Sequence, residues 1–207
     1  MKKICLLLSF FVLTTSVWSQ KNYTRSDIFT AEKLTWFGLD FSGLKCIDPT
    51  GFTNPEAIVN TYFRTMNELF QTEPDKYDLK KFLDKKEVKF DLEPVTKLNE
   101  SVNPGDLVLA AGSSYSIPQE DLAGMIGKYS PAATEGIGLV FIMEKFDKAS
   151  ETGAIWVTFF DIASKNVLLA DRLTEKAAGF GFRNYWVKTA YNALEEIQKK
   201  KMKAWQK

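Results

Sequence analysis

The stretch IGLVFIMEKFDKASETGAIWVTFFDIASKNVLLADRLT, Ile137–Thr174, decides the fold. It divides into three runs of strand length, Ile137–Phe146, Ala154–Ile162 and Asn166–Thr174, each rich in β-branched, leucine or aromatic residues. The linkers between them, Asp147–Gly153 and Ala163–Lys165, are short and polar. Links this tight cannot carry a crossover, so an antiparallel three-stranded meander is expected. The first two runs are apolar at consecutive positions rather than alternate ones. They are therefore expected to lie centrally, covered on both faces or by a partner.

Upstream, LTWFGLDF (Leu34–Phe41) reads as another strand apolar on both faces, closed by Gly43 and by Asp48-Pro49-Thr50-Gly51. TNPEAIVNTYFRTMNELF carries the clearest helical stripe, Ile58, Val59, Tyr62, Phe63, Met66, Leu69 and Phe70. Thr53 with Glu56 fits a capping box, and Pro55 stands in the first turn, where a missing N–H costs nothing. A short helix over Leu79–Lys85 follows. EVKFDLEPV (Glu87–Val95) alternates Val88, Phe90 and Leu92 with charged residues, which predicts a half-exposed strand near a sheet edge, ended by Pro94. DLVLAA (106–111) is short and apolar and fits neither period. SIPQEDLAGMIGKY offers a second capping box, Ser116 with Gln119, and a face of Leu122, Met125, Ile126 and Tyr129. A long last helix is expected from Asn184, with Val187, Ala190, Tyr191, Leu194 and Ile197 inward. The order predicts one α+β domain over residues 34–207: a mixed sheet, the C-terminal meander, three to four helices and a long closing helix.

LTWFGLDFSGLK resembles the strand–aspartate–Phe–small–Gly opening of bacterial cell-envelope domains of the TolB N-terminal, CsgG-like and penicillin-binding-protein-activator type. AIWVTFFDIASKNVLLADR is similar to the paired strands of the same group, in which an aspartate ends one strand and a turn leads into the next. Many members have Thr-Gly in that turn, where this chain has Lys165-Asn166, and the leader here has no lipobox cysteine. The aromatic-rich style is also similar to small exported proteins of Bacteroidetes-type bacteria. The resemblance implies an envelope domain and carries no particular activity with it.

MKKICLLLSFFVLTTSVWSQ opens the chain with Lys2 and Lys3, an apolar run from Ile4 to Leu13, and small residues Val17 and Ser19 before Gln20. That is the pattern of a secretory signal peptide over residues 1–19, too short in its apolar run to span a bilayer. Residues 20–33 are polar without a period and are expected to form a flexible arm. Processing would leave Cys46 as the one cysteine, so no internal disulfide is expected and burial of that thiol is favoured over an intermolecular link. Without Lys2 and Lys3, the 27 basic residues fall one short of the 26 acidic ones. Lys199, Lys200, Lys201, Lys203 and Lys207 crowd the last turns, which leaves an acidic body poorly suited to phosphate backbones, so no nucleic-acid partner is expected.

The chain has no histidine. That removes the commonest general base and zinc ligand, and with one mature cysteine no Cys/His zinc site can be assembled. Neither a P-loop nor a nucleophile elbow occurs, and no cofactor or metal is implied. Carboxylate pairs remain, with Asp91, Glu93, Glu144 and Asp161 as the candidates for glycan hydrolysis. The plainer reading makes Asp91 and Glu93 a solvated face and Asp161 a turn former.

Gly179-Phe180-Gly181, followed by Arg183 and Tyr185 at a helix start, has two readings. Exposed N–H groups at the positive end of a helix dipole, with Arg183 beside them, could hold an anion. The favoured alternative is a corner where a bulged strand end packs Phe180 and Phe182 into the core. Gly179, Gly181, Arg183 and Tyr185 are accordingly the candidates for anion or partner contact. Lys199, Lys200, Lys201, Lys203 and Trp205 are the candidates for a surface contact, at most peripheral if a membrane is involved. The expected role is an exported, non-enzymatic envelope protein that binds another protein. The alternatives are a small-ligand carrier with an apolar pocket between sheet and helices, and a carboxylate-dependent glycan hydrolase.

Overall fold

The structure, a computed structural model, describes residues Lys21–Lys207, so the leader expected at 1–19 lies outside the described residues. Its centre is β5 (Ile137–Asp147), the longest strand. Successive side chains of a strand point to opposite faces. Leu139, Phe141 and Met143 therefore enter one core and Val140 and Ile142 the other. β6 (Thr152–Asp161) repeats the division, with Ile155, Val157 and Phe159 on one side and Trp156 and Phe160 on the other. Apolar residues at consecutive positions thus mean what the sequence implied, a strand covered twice.

β6 pairs antiparallel with β5 along its whole length and with β7 (Val167–Lys176) on its other edge. All remaining pairings are parallel. β1 (Lys33–Asp40) and β2 (Lys45–Ile47) both pair with β5, and since β6 fills one edge of β5, they share the other. They act as one strand interrupted at 41–44. β3 (Glu87–Phe90) pairs with β1 and β4 (Val108–Leu109) with β2, forming a second interrupted rank outside the first. The α+β class and the long closing helix are as expected. The emphasis on a C-terminal meander needs correction: its first strand is the middle of a mostly parallel seven-stranded sheet, and the three strands form no separate unit.

Helices cover both faces. α1 (Asp27–Thr30) is the N-terminal turn. α2 spans 55–72, an α-turn at Pro55–Ala57, a π-turn at Ile58–Tyr62 and an α-helix at Phe63–Thr72. α3 (Leu79–Leu83) follows. α6 runs from Phe182 to Trp205 with a π-turn at Ile197–Lys201. With α2 and α3 it buries the larger core, where Trp36 meets Phe70 at 5.1 Å and Phe141 edge-on at 5.0 Å. Each ring removed from water there contributes on the order of 2–3 kcal/mol. The opposite face is covered by α4 (Glu93–Glu100) and by the segment carrying α5 (Leu122–Ile126), through Val95, Ile117, Leu122 and Ile126.

Local details differ from expectation in instructive ways. Helix α2 is capped by Asn54, whose side chain accepts the Ala57 N–H at 3.0 Å, rather than by Thr53. The segment after Phe90 does not continue as strand: Pro94 sits in the first turn of α4. No side chain caps the turn ahead of α5, so the Ser116–Gln119 box does not form.

Of the arm expected at 20–33, the described part, residues 21–33, is a docked element. Tyr23 N–H donates to Asp161 Oδ2 (3.1 Å), Arg25 Nη2 to the Trp205 carbonyl (2.9 Å), and Ile28 is buried in the main core. The anchor is Lys85, a buried ammonium that donates to the carbonyls of Ile28 (2.7 Å) and Ala31 (2.8 Å). Burial lowers its pKa, with Asp84 opposing that shift. Lys85→Met is expected to orphan both carbonyls and cost about 1–3 kcal/mol. Amide exchange at 27–31 should accelerate while β5 and β6 stay protected; unchanged exchange at Ile28 would contradict the anchoring role.

Candidate functional site

Ile47, Asp147, Thr152 and Lys176 lie in register across four neighbouring strands. They mark one end of the sheet, the carboxyl end of its parallel strands, and just beyond it the chain turns from β7 into α6. Gly179 (φ +123°) and Gly181 (φ +77°) have backbone angles that side-chain-bearing residues rarely adopt. The Ala178 N–H donates to the Tyr185 carbonyl at 3.2 Å, tying the loop to the helix, and Tyr185 N–H donates to the Gly181 carbonyl at 3.0 Å. The corner reading is therefore what the chain adopts.

One part of that reading fails. Phe182 does pack inward, stacked on Tyr62 at 4.7 Å and edge-on to Phe52 at 6.1 Å. Phe180 is 95% exposed. A glycine of positive φ on each side of Phe180 turns this residue out of the strand's pleat, so its ring leaves the core. Leaving an aromatic ring in water forfeits roughly 2–3 kcal/mol of burial, so the position is unusual for a loop of structural purpose alone.

Arg183 and Tyr185, the candidates that follow it in the chain, have partners of their own. The Arg183 Nε donates to Asn184 Oδ1 at 3.1 Å, so part of its guanidinium is engaged by the next residue of the helix. Tyr185 lies edge-on to Trp186 at 5.1 Å, with Lys148 Nζ 5.2 Å from its ring centre. Lys148 bridges to Glu151 (3.3 Å), and Lys176 Nζ donates to the Ser150 carbonyl (2.9 Å). The Ala177 N–H also donates to the Glu151 carbonyl at 2.8 Å, so the charged turn between β5 and β6 is tied to the start of the corner.

The C-terminal candidates belong elsewhere. Lys199 and Lys200 pair with Glu195 (3.3 Å) and Glu196 (2.9 Å) one turn back, and Lys201 with Asp171 (2.9 Å). Lys203 stays exposed. Trp205 is buried, its Nε1 donating to Asp171 Oδ2 at 2.9 Å and its ring edge-on to Phe159. Its expected place on the surface is thus corrected: the last turn of α6 is amphipathic, and its aromatic side is the inner one.

Each of the four carboxylates is taken up by structural hydrogen bonds or ion pairs. Glu144 is fully buried and takes Arg172 as a bidentate partner (Nε to Oε2 2.9 Å, Nη2 to Oε1 2.5 Å). Its Oε2 also accepts Trp156 Nε1 and Ile117 N–H, both at 3.2 Å. The hydrogen bonds between Arg172 and Glu144 raise the guanidinium's pKa, against the opposing effect of burial. Asp161 accepts Ala163 N–H (2.9 Å) and Ser164 N–H (3.3 Å), the turn-forming role expected of it. Asp91 accepts Ala132 N–H at 2.8 Å, and Glu93 pairs with Lys97 on α4, so the two do not share a strand face.

Two features were invisible in the pattern. Asp40, fully buried, accepts Tyr129 Oη–H at 2.5 Å and Ser42 N–H at 2.8 Å. Burial, and after it the Asp40 charge, pushes the Tyr129 phenol well above its usual range. The second is an open cleft of about 680 Å³ between Ser42–Gly43 and α5, lined by Tyr115, Ile117, Asp121 and Met125. Burial pushes up the Cys46 thiol, as expected of a small hydrophobe.

No family model matches the chain, and the comparisons with curated proteins and with solved structures returned no match. No helix among the described residues is long and apolar enough to cross a membrane.

Proposed function

We propose that the protein is an exported, non-enzymatic interaction module of the bacterial cell envelope, and that it contacts its partner through the corner at 178–185. The observation that carries this reading is Phe180, 95% exposed between glycines of positive φ. Interfaces concentrate their energy in a few aromatic anchors ringed by polar residues. Lys148 and Glu151 in the turn tied to this corner, with Lys176 and Arg183 on either side of it in the chain, are the candidates for that polar surround. The leader pattern and the resemblance to TolB-type and CsgG-like domains support the envelope setting. The basic tail is a weaker candidate for lipid contact, because three of its lysines are paired within the chain.

In-cell cross-linking followed by affinity capture tests the proposal. Phe180→Asp is expected to lower recovery of an envelope partner at least about tenfold, the scale of an aromatic hot spot, at an unchanged melting temperature. A partner recovered equally well by the variant, or no reproducible partner, would sink it. The carrier alternative has one observation in its favour, the 680 Å³ cleft, whose mixed lining suits a small polar molecule better than the apolar ligand first expected. Native mass spectrometry of the purified chain would show such a ligand as an added mass.

A further inference from the structure

We propose that two copies of this chain join edge to edge through β3, forming one sheet across a two-fold axis. The sheet has two free edges, and each must be paired, covered or blunted to avoid unwanted association. At β3 the N–H groups of Glu87 and Asp91 turn inward, to the carbonyls of Glu32 (3.1 Å) and Trp36 (3.0 Å). Strand alternation then turns the N–H and C=O of Val88 and Phe90 outward, along the open edge. Phe90 is 38% exposed, the one large apolar side chain besides Phe180 left exposed among the described residues. Beside it lies a groove of about 650 Å³ with Tyr77, Leu79 and Phe70 in its wall.

Charge selects the occupant. Two antiparallel strands related by a two-fold axis normal to the sheet oppose residues on the same face, hence residues whose numbers are both odd or both even. In β7 the odd charged positions, Asp171 and Glu175, are both acidic, and the even ones, Arg172 and Lys176, both basic. No symmetric register of β7 can oppose unlike charges. Every register centred on a residue from Asp171 to Thr174 opposes like ones, which is destabilising.

In β3 the odd positions, Glu87 and Lys89, have opposite signs. A register centred on Val88 sets Glu87 against the partner's Lys89 and Lys89 against the partner's Glu87. It also brings Phe90 toward the partner's Lys86, which lies just ahead of the strand, where the same lysine in each chain pairs with Glu32. The outward N–H and C=O of Val88 face those of the partner's Val88, where an antiparallel ladder requires a hydrogen-bonded pair. The partner's Phe90 arrives beside Lys86, on the face where the groove opens. This self-complementarity is absent at the other edge of the sheet, and it makes a second copy the partner that β3 fits. The inference does not depend on Phe180.

Sedimentation equilibrium on protein purified from the full chain tests it by charge reversal. The wild type is expected to dimerise in a concentration-dependent way. Glu87→Lys and Lys89→Glu should each weaken the dimer about tenfold or more, because each replaces two attractive cross-strand pairs with repulsive ones. The double reversal should restore it to within about threefold. Thermal melts should stay level across the set, since Glu87 and Lys89 are solvent-facing side chains and exposed pairs contribute little to folding. A monomer up to about 0.5 mM, the strength of a weak encounter, would overturn the proposal. So would a dimer indifferent to either reversal, or a double variant no stronger than the singles.

Discussion

Arg172→Met is expected to destabilise the protein by about 3 kcal/mol, while the paired change Arg172→Met with Glu144→Leu recovers part of the loss. Glu144 has no exposed surface, and Arg172 is the one cation that reaches it within ion-pair distance among the described residues. Breaking a buried pair from one side costs about 3–5 kcal/mol, since the remaining charge has neither water nor a counter-charge. The low end applies because the Arg172 side chain keeps about a third of its surface in solvent. In a chain of this size 3 kcal/mol lowers the melting temperature by roughly 6–12 °C. Removing both charges costs less, because no charge is left stranded, although Glu144→Leu also takes the acceptor from the buried Ile117 N–H. Urea denaturation of the two variants checks this: equal losses from the single and double changes would mean the pair contributes through shape alone. The network also joins β5, β6 and β7 to the 115–118 segment through Trp156 and Ile117, so its loss should loosen the cleft wall before the sheet.

How far the sequence foretold this arrangement depended on length and on which residue types carry a period. β5, β6 and β7 are ten or eleven residues long with tight polar links, so their existence and order could be read directly. β2 and β4 have three and two residues, too few to show any alternation; β2 exists because β5 offers an edge to pair with, and β4 because β2 then offers one in turn. α4 was hidden because Val88, Phe90 and Leu92 keep the strand period up to its start. Pro94 then reads equally as a strand terminator or a first-turn proline. Phe180 was misassigned for a related reason. Phe-Gly-Phe continues the alternation of β7 on paper, and only the positive φ of both glycines breaks it. The arm at 21–33 looked unstructured because Ile28 is its one fully buried side chain, and its anchor, Lys85, belongs to a residue type that is almost never buried.

The polar residues hardest to read correctly are Asn67 and Asn99, which sit in helices and would ordinarily face solvent, yet are buried. Their role begins where β3 stops. Beyond Trp36 the outer edge of β1 has no neighbouring strand until β4 meets β2. Asn67 Oδ1 accepts the Leu39 N–H (2.6 Å), and Asn99 Oδ1 accepts the Phe41 N–H (2.7 Å). Both amide nitrogens donate to the Leu39 carbonyl at 3.0 Å. Two side-chain amides thus stand in for the missing length of strand, which is how an interrupted rank stays buried without orphaned backbone groups. Such close approach requires Gly38, whose φ is +97° and where a Cβ would run into the Asn67 amide oxygen and Leu92 Cδ2. Gly38→Ala is therefore expected to cost about 3–4 kcal/mol, from backbone strain plus displacement of the Asn67 bonds. The melting temperature should fall by roughly 10 °C. Asn67→Ala removes the main obstacle as well as the bonds. The double change should then cost less than the sum of the two single ones, as neighbours sharing one contact do. Strictly additive losses in a denaturant cycle would show that Gly38 is required for its backbone angle alone, and that the asparagine does not dictate the residue beside it.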